Sequence, residues 1–150
     1  MFGGGPNIVG LVEQWRPEKW YRSEKKFEED LADYLRKNTG RQTKVRTQGR
    51  SNIDILVNDH IGIELKRKLT PSKVDRLMGQ LGRYEFSTAM VPVCGATENA
   101  WEDLVERTRQ GHGMEFGQQQ EVIPIRKEKN DPQRNHRGGQ DSFGLGEGFF

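Results

Sequence analysis

The order of elements in this sequence, α-β-β-β-α-β-α-(β), predicts an α/β protein of the mixed-sheet (α+β) kind, with helices flanking the sheet. Three observations lead there. Apolar residues recur at helical spacing in three segments, they alternate with period two in three consecutive short segments, and one unbroken apolar run lies between the second and third helices. No repeat at fixed period competes with this reading.

Each element has its own signal. Residues 1–22 hold Gly3, Gly4 and Gly5, an apolar patch from Ile8 to Val12, and Trp15 and Trp20, so they read as an irregular arm that docks through its aromatics. Ser23 offers an N-cap to a helix carrying Phe27, Leu31, Tyr34 and Leu35 at i, i+4, i+7 and i+8, ending near Asn38-Thr39-Gly40. Gln42 to Gln48 alternates β-branched Thr43, Val45 and Thr47 with Lys44 and Arg46, a strand with one basic face. Gly49-Arg50-Ser51-Asn52 then turns the chain. Ile53, Ile55 and Val57 line one face of a second strand, and Asn58-Asp59 turns it into a third, with Ile61, Ile63 and Leu65 facing away from Gly62, Glu64 and Lys66. These three form an antiparallel meander.

Thr70-Pro71 is a cap followed by proline at the first helical position, opening a helix with Val74, Leu77, Met78 and Leu81 that runs to about Phe86. Ala89 to Cys94 reads as a buried strand. Asn99 to Gln110 is helical with Trp101, Leu104 and Val105 inward, and Glu121 to Arg126 fits a last, edge strand.

Composition sets the frame. The chain has 150 residues, and 12 of its 18 glycines lie in residues 1–10 and 111–150, so its polarity belongs partly to its ends. One domain is expected over 23–127, with the arm before it and a glycine-rich, disordered tail over 128–150 that finishes on aromatics, Phe149-Phe150. That tail is a candidate docking segment for a protein partner. No apolar run approaches the roughly 20 residues of a membrane span, and no signal-peptide pattern opens the chain, so no membrane and a cytoplasmic location are expected. Cys94 is the single cysteine, which rules out an internal disulfide and a cysteine-based zinc site. His60 falls in a hairpin turn, and His112 and His136 lack metal-ligand spacing.

Net charge is only +2, but its distribution is uneven. Arg36, Lys37, Arg41, Lys44, Arg46 and Arg50 follow one another with no acid between them, next to an acid-rich helix. That stretch is either a solvated edge or a hold on a nucleic-acid backbone.

Alternation also gathers charge. It places Glu64 and Lys66 side by side and Asp54 on the corresponding face of the neighbouring strand. Two carboxylates on adjacent strands suit Mg²⁺ or Mn²⁺, which take oxygen ligands and keep waters for a substrate phosphate. A lysine beside them can orient the attacking water and offset transition-state charge. The plainer alternative is a cross-strand ion pair on a solvated sheet face, which contributes about 0–1 kcal/mol.

Asp54, then Glu64-Leu65-Lys66 ten residues on, on paired strands after an acid-bearing helix, resembles the PD-(D/E)xK nuclease superfamily. The resemblance spans roughly residues 23–95 and implies a restriction-endonuclease-like αβββαβ core and Mg²⁺-dependent hydrolysis of phosphodiester bonds. Asp54 and Glu64 would be metal ligands, the Leu65 main-chain carbonyl a further ligand, and Lys66 the catalytic lysine. In several branches, archaeal Holliday-junction resolvases among them, an acid on the first helix joins the site; Glu28 matches that place, with Glu24 next and Glu29 third. Gln80-Leu81-Gly82-Arg83-Tyr84 resembles the QxxxY signature of RecB-like nucleases, which implies that Gln80 and Tyr84 share a helix face beside the site, Tyr84 toward substrate phosphate. Gly79 and Gly82 suggest a close approach there, since glycine inside a helix costs about 0.5–1 kcal/mol against alanine. The proline that names the superfamily is absent, Ser51-Asn52-Ile53 preceding the acid.

The expectation is a DNA-cleaving (endo)nuclease of repair, recombination or defence, a homodimer, with Arg41, Lys44, Arg46, Arg50, Arg67, Lys68 and Arg83 on the nucleic acid. Two alternatives stay open: an inactive nucleic-acid-binding or scaffolding module of the same fold, and a nuclease acting on RNA.

Overall fold

A computed structural model of the chain describes residues 7–47, 53–84, 87–109 and 121–129. Its elements are α1 (Ile8–Gln14), α2 (Glu24–Asn38), β1 (Val45–Thr47), β2 (Ile55–Val57), β3 (Ile61–Ile63), β4 (Lys66–Leu69), α3 (Pro71–Arg83), β5 (Thr88–Ala96), α4 (Glu98–Arg109) and β6 (Glu121–Lys127). The protein is a mixed α/β structure around one six-stranded open sheet. The tail beyond Lys129, Arg50, His112 and His136 lie outside the described residues.

The meander is present. β1 pairs antiparallel with β2, and β2 with β3. Positive φ at Asn58 (53°) and Asp59 (63°) gives the primed turn whose twist suits a hairpin. Asn58 also completes the β1 edge, its Oδ1 accepting from Lys44 N–H at 2.8 Å. The chain then crosses over through α3 to β5, which runs parallel to β3, and through α4 to β6, which runs parallel to β5.

The third strand departs from the sequence reading. It is interrupted at Glu64-Leu65, yet β3 and β4 keep one register against β5: Ile61 pairs Thr88 and Lys66 pairs Val93, an offset of 27 in both cases. They are two halves of a single line of chain along one edge of β5, and β6 takes the other edge. Further on, both neighbouring strands are irregular at the same level. Lys68 has φ +54° and Gly95 φ +90°. Strict alternation would put Leu69 with Leu65 and Ala96 with Cys94, but Leu69 and Ala96 belong to the opposite face of the sheet. The two left-handed residues turn the strands over together. Gly95 is suited to this; a lysine there costs about 1 kcal/mol or more.

Two apolar layers cover the sheet. On one face α1 and α2 bury Val12, Trp15, Phe27, Leu31 and Leu35 against Ile55, Ile63, Leu65, Met90 and Ile125. On the other, Val74, Leu77, Leu81 and Leu104 of α3 and α4 meet Leu69, Ala89, Val91 and Val93. β5 feeds both by alternation, as a strand buried on two faces must.

Residues 1–22 are not an irregular arm throughout. Ile8–Gln14 is a helix capped by Asn7, whose Oδ1 accepts from Gly10 N–H, and Trp15 at its end is fully buried. The docking through aromatics does occur: Trp20 and Tyr21 meet Phe27 edge-on, with centroids 5.2 and 5.1 Å away. Asp30 of α2 clamps this segment, accepting from Trp15 Nε1 at 3.0 Å, Glu18 N–H at 2.9 Å and Tyr21 Oη at 2.6 Å. Buried Lys127 clamps it from the sheet, donating to the Glu13 carbonyl at 2.6 Å, where the α1 C-terminus presents unsatisfied oxygens.

Smaller corrections concern helix ends. Ser23 caps α2 as its sequence implies, Oγ accepting from Lys26 N–H. Thr70 occupies the N-cap position of α3 but makes no side-chain cap bond; Pro71 alone fixes the helix start. α3 ends at Arg83, short of Phe86.

Candidate functional site

The site lies where β2 parts from β3. Their pairing runs from Val57↔Ile61 to Ile55↔Ile63 and stops there. Glu64 N–H continues along β5, donating to the Met90 carbonyl at 2.9 Å. The next N–H groups facing the lost partner, those of Leu65 and Arg67, need other acceptors, and carboxylates supply them. Asp54 Oδ2 accepts from Leu65 N–H at 2.9 Å, and Glu24 Oε2 of α2 accepts from Arg67 N–H at 3.0 Å. The parting of two strands therefore draws acids from the β2 approach and from α2 to one place.

Glu64 and Lys66 stand at the break. Glu64 is 3% exposed, with Lys66 Nζ 3.3 Å from Oε2 and the Tyr84 hydroxyl 3.4 Å from Oε1. Glu28, 7% exposed, comes in from α2. Its Oε1 is buried without a hydrogen-bond partner, Lys25 Nζ standing 3.8 Å off.

Electrostatics ties these acids together. Burial raises the Glu28 carboxyl to about 7, and the Asp54 carboxylate adds to the rise. Burial likewise raises Glu64 to about 7, again with help from Asp54 and against the pull of Lys66. Asp54 is raised to about 6 by burial, while Leu65 N–H and the Lys66 ammonium work in the other direction. Burial and the neighbouring Glu64 and Asp54 push the Tyr84 hydroxyl far above its usual range, so it stays a neutral donor.

The donor chemistry suits a hard cation: three desolvated carboxylates, one amine, and one orphaned carboxylate oxygen. Among the described residues no three histidine, cysteine, aspartate or glutamate side chains are gathered closely enough to hold a metal ion as they stand. Mg²⁺ does not require three, since it is commonly bound through one or two carboxylates plus carbonyl oxygen and water.

The other candidates fall out as follows. Of the three helix acids, Glu28 and Glu24 are at the site and Glu29 is exposed, on a groove along the outer side of α2 with Arg16 and Asp33. Gln80 and Tyr84 do not share a helix face: α3 ends at Arg83, and Tyr84 follows in extended conformation (φ −88°, ψ 145°), which is how its hydroxyl reaches Glu64. Gln80 Oε1 is buried without a partner. Gly79 marks no close approach, because a Cβ there would meet nothing within 4 Å. On the basic side, Arg46 is paired with Asp59, and Arg67 Nε is held by the Tyr21 carbonyl at 3.1 Å, so both serve the fold. Arg41, Lys44, Lys68 and Arg83 are exposed.

The sequence reading missed Asp30 and Lys127. Nothing local marks Asp30, whose partners come from a segment 9 to 15 residues earlier. Lys127 was legible, since alternation through Ile123 and Ile125 sets it on the apolar face of β6. Compared with known proteins, the chain matches no family model, no curated protein and no solved structure.

Proposed function

We propose that this protein is a metal-dependent nuclease that hydrolyses DNA phosphodiester bonds, built on a restriction-endonuclease-like core. The observation that carries the reading is the meeting of Asp54, Glu64 and Lys66 at the parting of β2 and β3, with Glu28 buried against Asp54. Asp54 and Glu64 would hold Mg²⁺ or Mn²⁺, with Glu28 and the Leu65 main-chain carbonyl as further oxygen donors. Such an ion, when bound, lowers the pKa of a water and offsets charge on the phosphate. Lys66 Nζ, 3.3 Å from Glu64 Oε2, would orient the attacking water and balance the charge that develops at phosphorus. Tyr84, a neutral hydroxyl beside Glu64, can donate to a phosphate oxygen, and Gln80 stands one turn before it.

The test is cleavage of labelled duplex, junction and single-stranded DNA, with RNA alongside, in Mg²⁺ or Mn²⁺. Asp54→Ala and Lys66→Ala are expected to lower cleavage by at least a hundredfold while circular dichroism is unchanged. Equal cleavage by the variants would identify a contaminant and sink the proposal.

One observation favours a second reading. Both Glu64 oxygens and one Asp54 oxygen already have protein partners, as in a site that is satisfied without an ion. A nucleic-acid-binding or scaffolding module would look the same. Calorimetric titration separates the two: no heat with Mg²⁺ or Mn²⁺, together with salt-dependent DNA binding, favours the module.

A further inference from the structure

We infer that the exposed face of α3, carrying Lys73, Arg76 and Arg83, is the track along which a nucleic-acid backbone approaches the site, an inference that rests on the nucleic-acid reading above. At 100° per residue Lys73, Arg76, Gln80 and Arg83 fall within an arc of about 80° that borders the buried stripe of Val74, Leu77, Met78 and Leu81, with Gln80 half-buried and the three basic residues outside that stripe. All three basic residues are exposed. Among the described residues none of them pairs with a carboxylate: Lys73 Nζ donates to the Lys68 carbonyl at 3.3 Å and Arg83 Nε to the Gly79 carbonyl at 3.4 Å. The one acid of α3, Asp75, points to α4, where Arg107 Nη2 holds it at 2.6 Å.

The basic stretch at β1 is the contrasting case. Arg46 is paired with Asp59, and Arg36 is spent on Asp33 and the Val45 carbonyl. Lys26 and Lys37 of α2 are exposed as well, but they line a groove with Glu18, Glu29, Asp30 and Asp33, whereas the single acid of α3 is turned to α4, so α3 is the helix whose basic face has no acid beside it. Its geometry suits a polyphosphate: the stripe is about 15 Å long at 1.5 Å per residue, which spans about four phosphates at 3.4 Å per step of one strand. Gly79 lies beside the stripe with open space above it, so a backbone can come close. The direction fits as well, since the stripe starts beside Lys68 and ends at Arg83, next to Tyr84, which touches Glu64. Ser72, Gly79 and Gln80 fill the rest of the face, leaving no apolar residue for insertion into a lipid surface.

The experiment is fluorescence anisotropy on labelled DNA and RNA, duplex and single-stranded, in EDTA so that binding is read without cleavage. Lys73→Gln/Arg76→Gln/Arg83→Gln is compared with Lys19→Gln/Lys26→Gln/Lys129→Gln, which removes the same charge from exposed positions elsewhere. The α3 triple is expected to weaken binding at least tenfold and to lower the slope of log K against log salt by about 2 to 3, at roughly 0.7–0.9 per phosphate contact. The control triple is expected to shift binding less than threefold. Equal losses in both triples, unchanged binding by the α3 triple, or no binding by the intact protein would each overturn the inference. So would loss of binding only to phosphatidylserine vesicles. An α3 triple that binds normally while the intact protein cleaves in Mg²⁺ removes the track and leaves the nuclease reading standing; a binding loss with no cleavage does the reverse.

Discussion

Glu28 illustrates how a single side chain carries the cost of the site. Its carboxyl is buried beside Asp54 with one oxygen lacking a hydrogen bond and only Lys25 Nζ 3.8 Å away, and burial pushes it up to about 7 from 4.5. Glu64 does the same, also near 7. A carboxyl whose pKa is higher in the folded than in the unfolded chain holds its proton more tightly when folded. Its contribution to stability is thus greatest below the unfolded value and is lost as pH rises through the folded one. Metal-free protein is therefore expected to lose stability between about pH 4.5 and 7, and urea denaturation across that range measures it. Glu28→Gln, which keeps the shape and cannot ionise, is expected to flatten part of the slope and to be the more stable protein at pH 8. A stability profile that rises over this window would contradict the burial of these acids.

Among the elements, α1 depends most on one clamp. Seven residues are too few to be helical alone, so α1 exists because Trp15 is buried and Asp30 and Lys127 hold the chain around it. Asp30→Ala leaves Trp15 Nε1, Glu18 N–H and Tyr21 Oη without their acceptor and is expected to destabilise the protein by about 2–4 kcal/mol, read as a lower urea midpoint. The hydrogen bond to Asp30 also holds the Tyr21 hydroxyl up at about 12, so its ultraviolet titration in the variant should return toward 10. An unchanged midpoint and titration would show that α2 does not anchor the arm.

For the whole molecule, the arrangement is one sheet between two helical layers, with the acids placed at the edge of an internal opening of that sheet. Three carboxyls that repel one another there should be relieved by a divalent cation. Mg²⁺ or Mn²⁺ at ten times its Kd is expected to stabilise the fold by about 1.4 kcal/mol at pH 8, seen as a rise in Tm. The rise should shrink at pH 5.5, where protons occupy Glu28 and Glu64, and vanish in Asp54→Asn. A metal-induced rise of equal size at both pH values would place the ion somewhere else.

The sequence by itself determined the order of the helices and strands from α2 onward, apart from the break in the third strand, together with the antiparallel meander and the alternation that sets Glu64 opposite Ile63 and Leu65, because periodicity and turn chemistry are local. Helical spacing also sets Glu28 and Glu24 beside the buried stripe of α2 and Glu29 away from it. Only the tertiary structure decided that the third strand breaks at Glu64-Leu65, that Lys68 and Gly95 turn two strands over together, and that Tyr84 leaves α3 to meet Glu64. The same holds for α1, a seven-residue helix held by the burial of Ile8, Val12 and Trp15 and by the bonds that Asp30 and Lys127 make around its C-terminal end. Each of these depends on groups far apart in the chain competing for the same backbone N–H, carbonyl or volume, and no local pattern records the outcome of that competition.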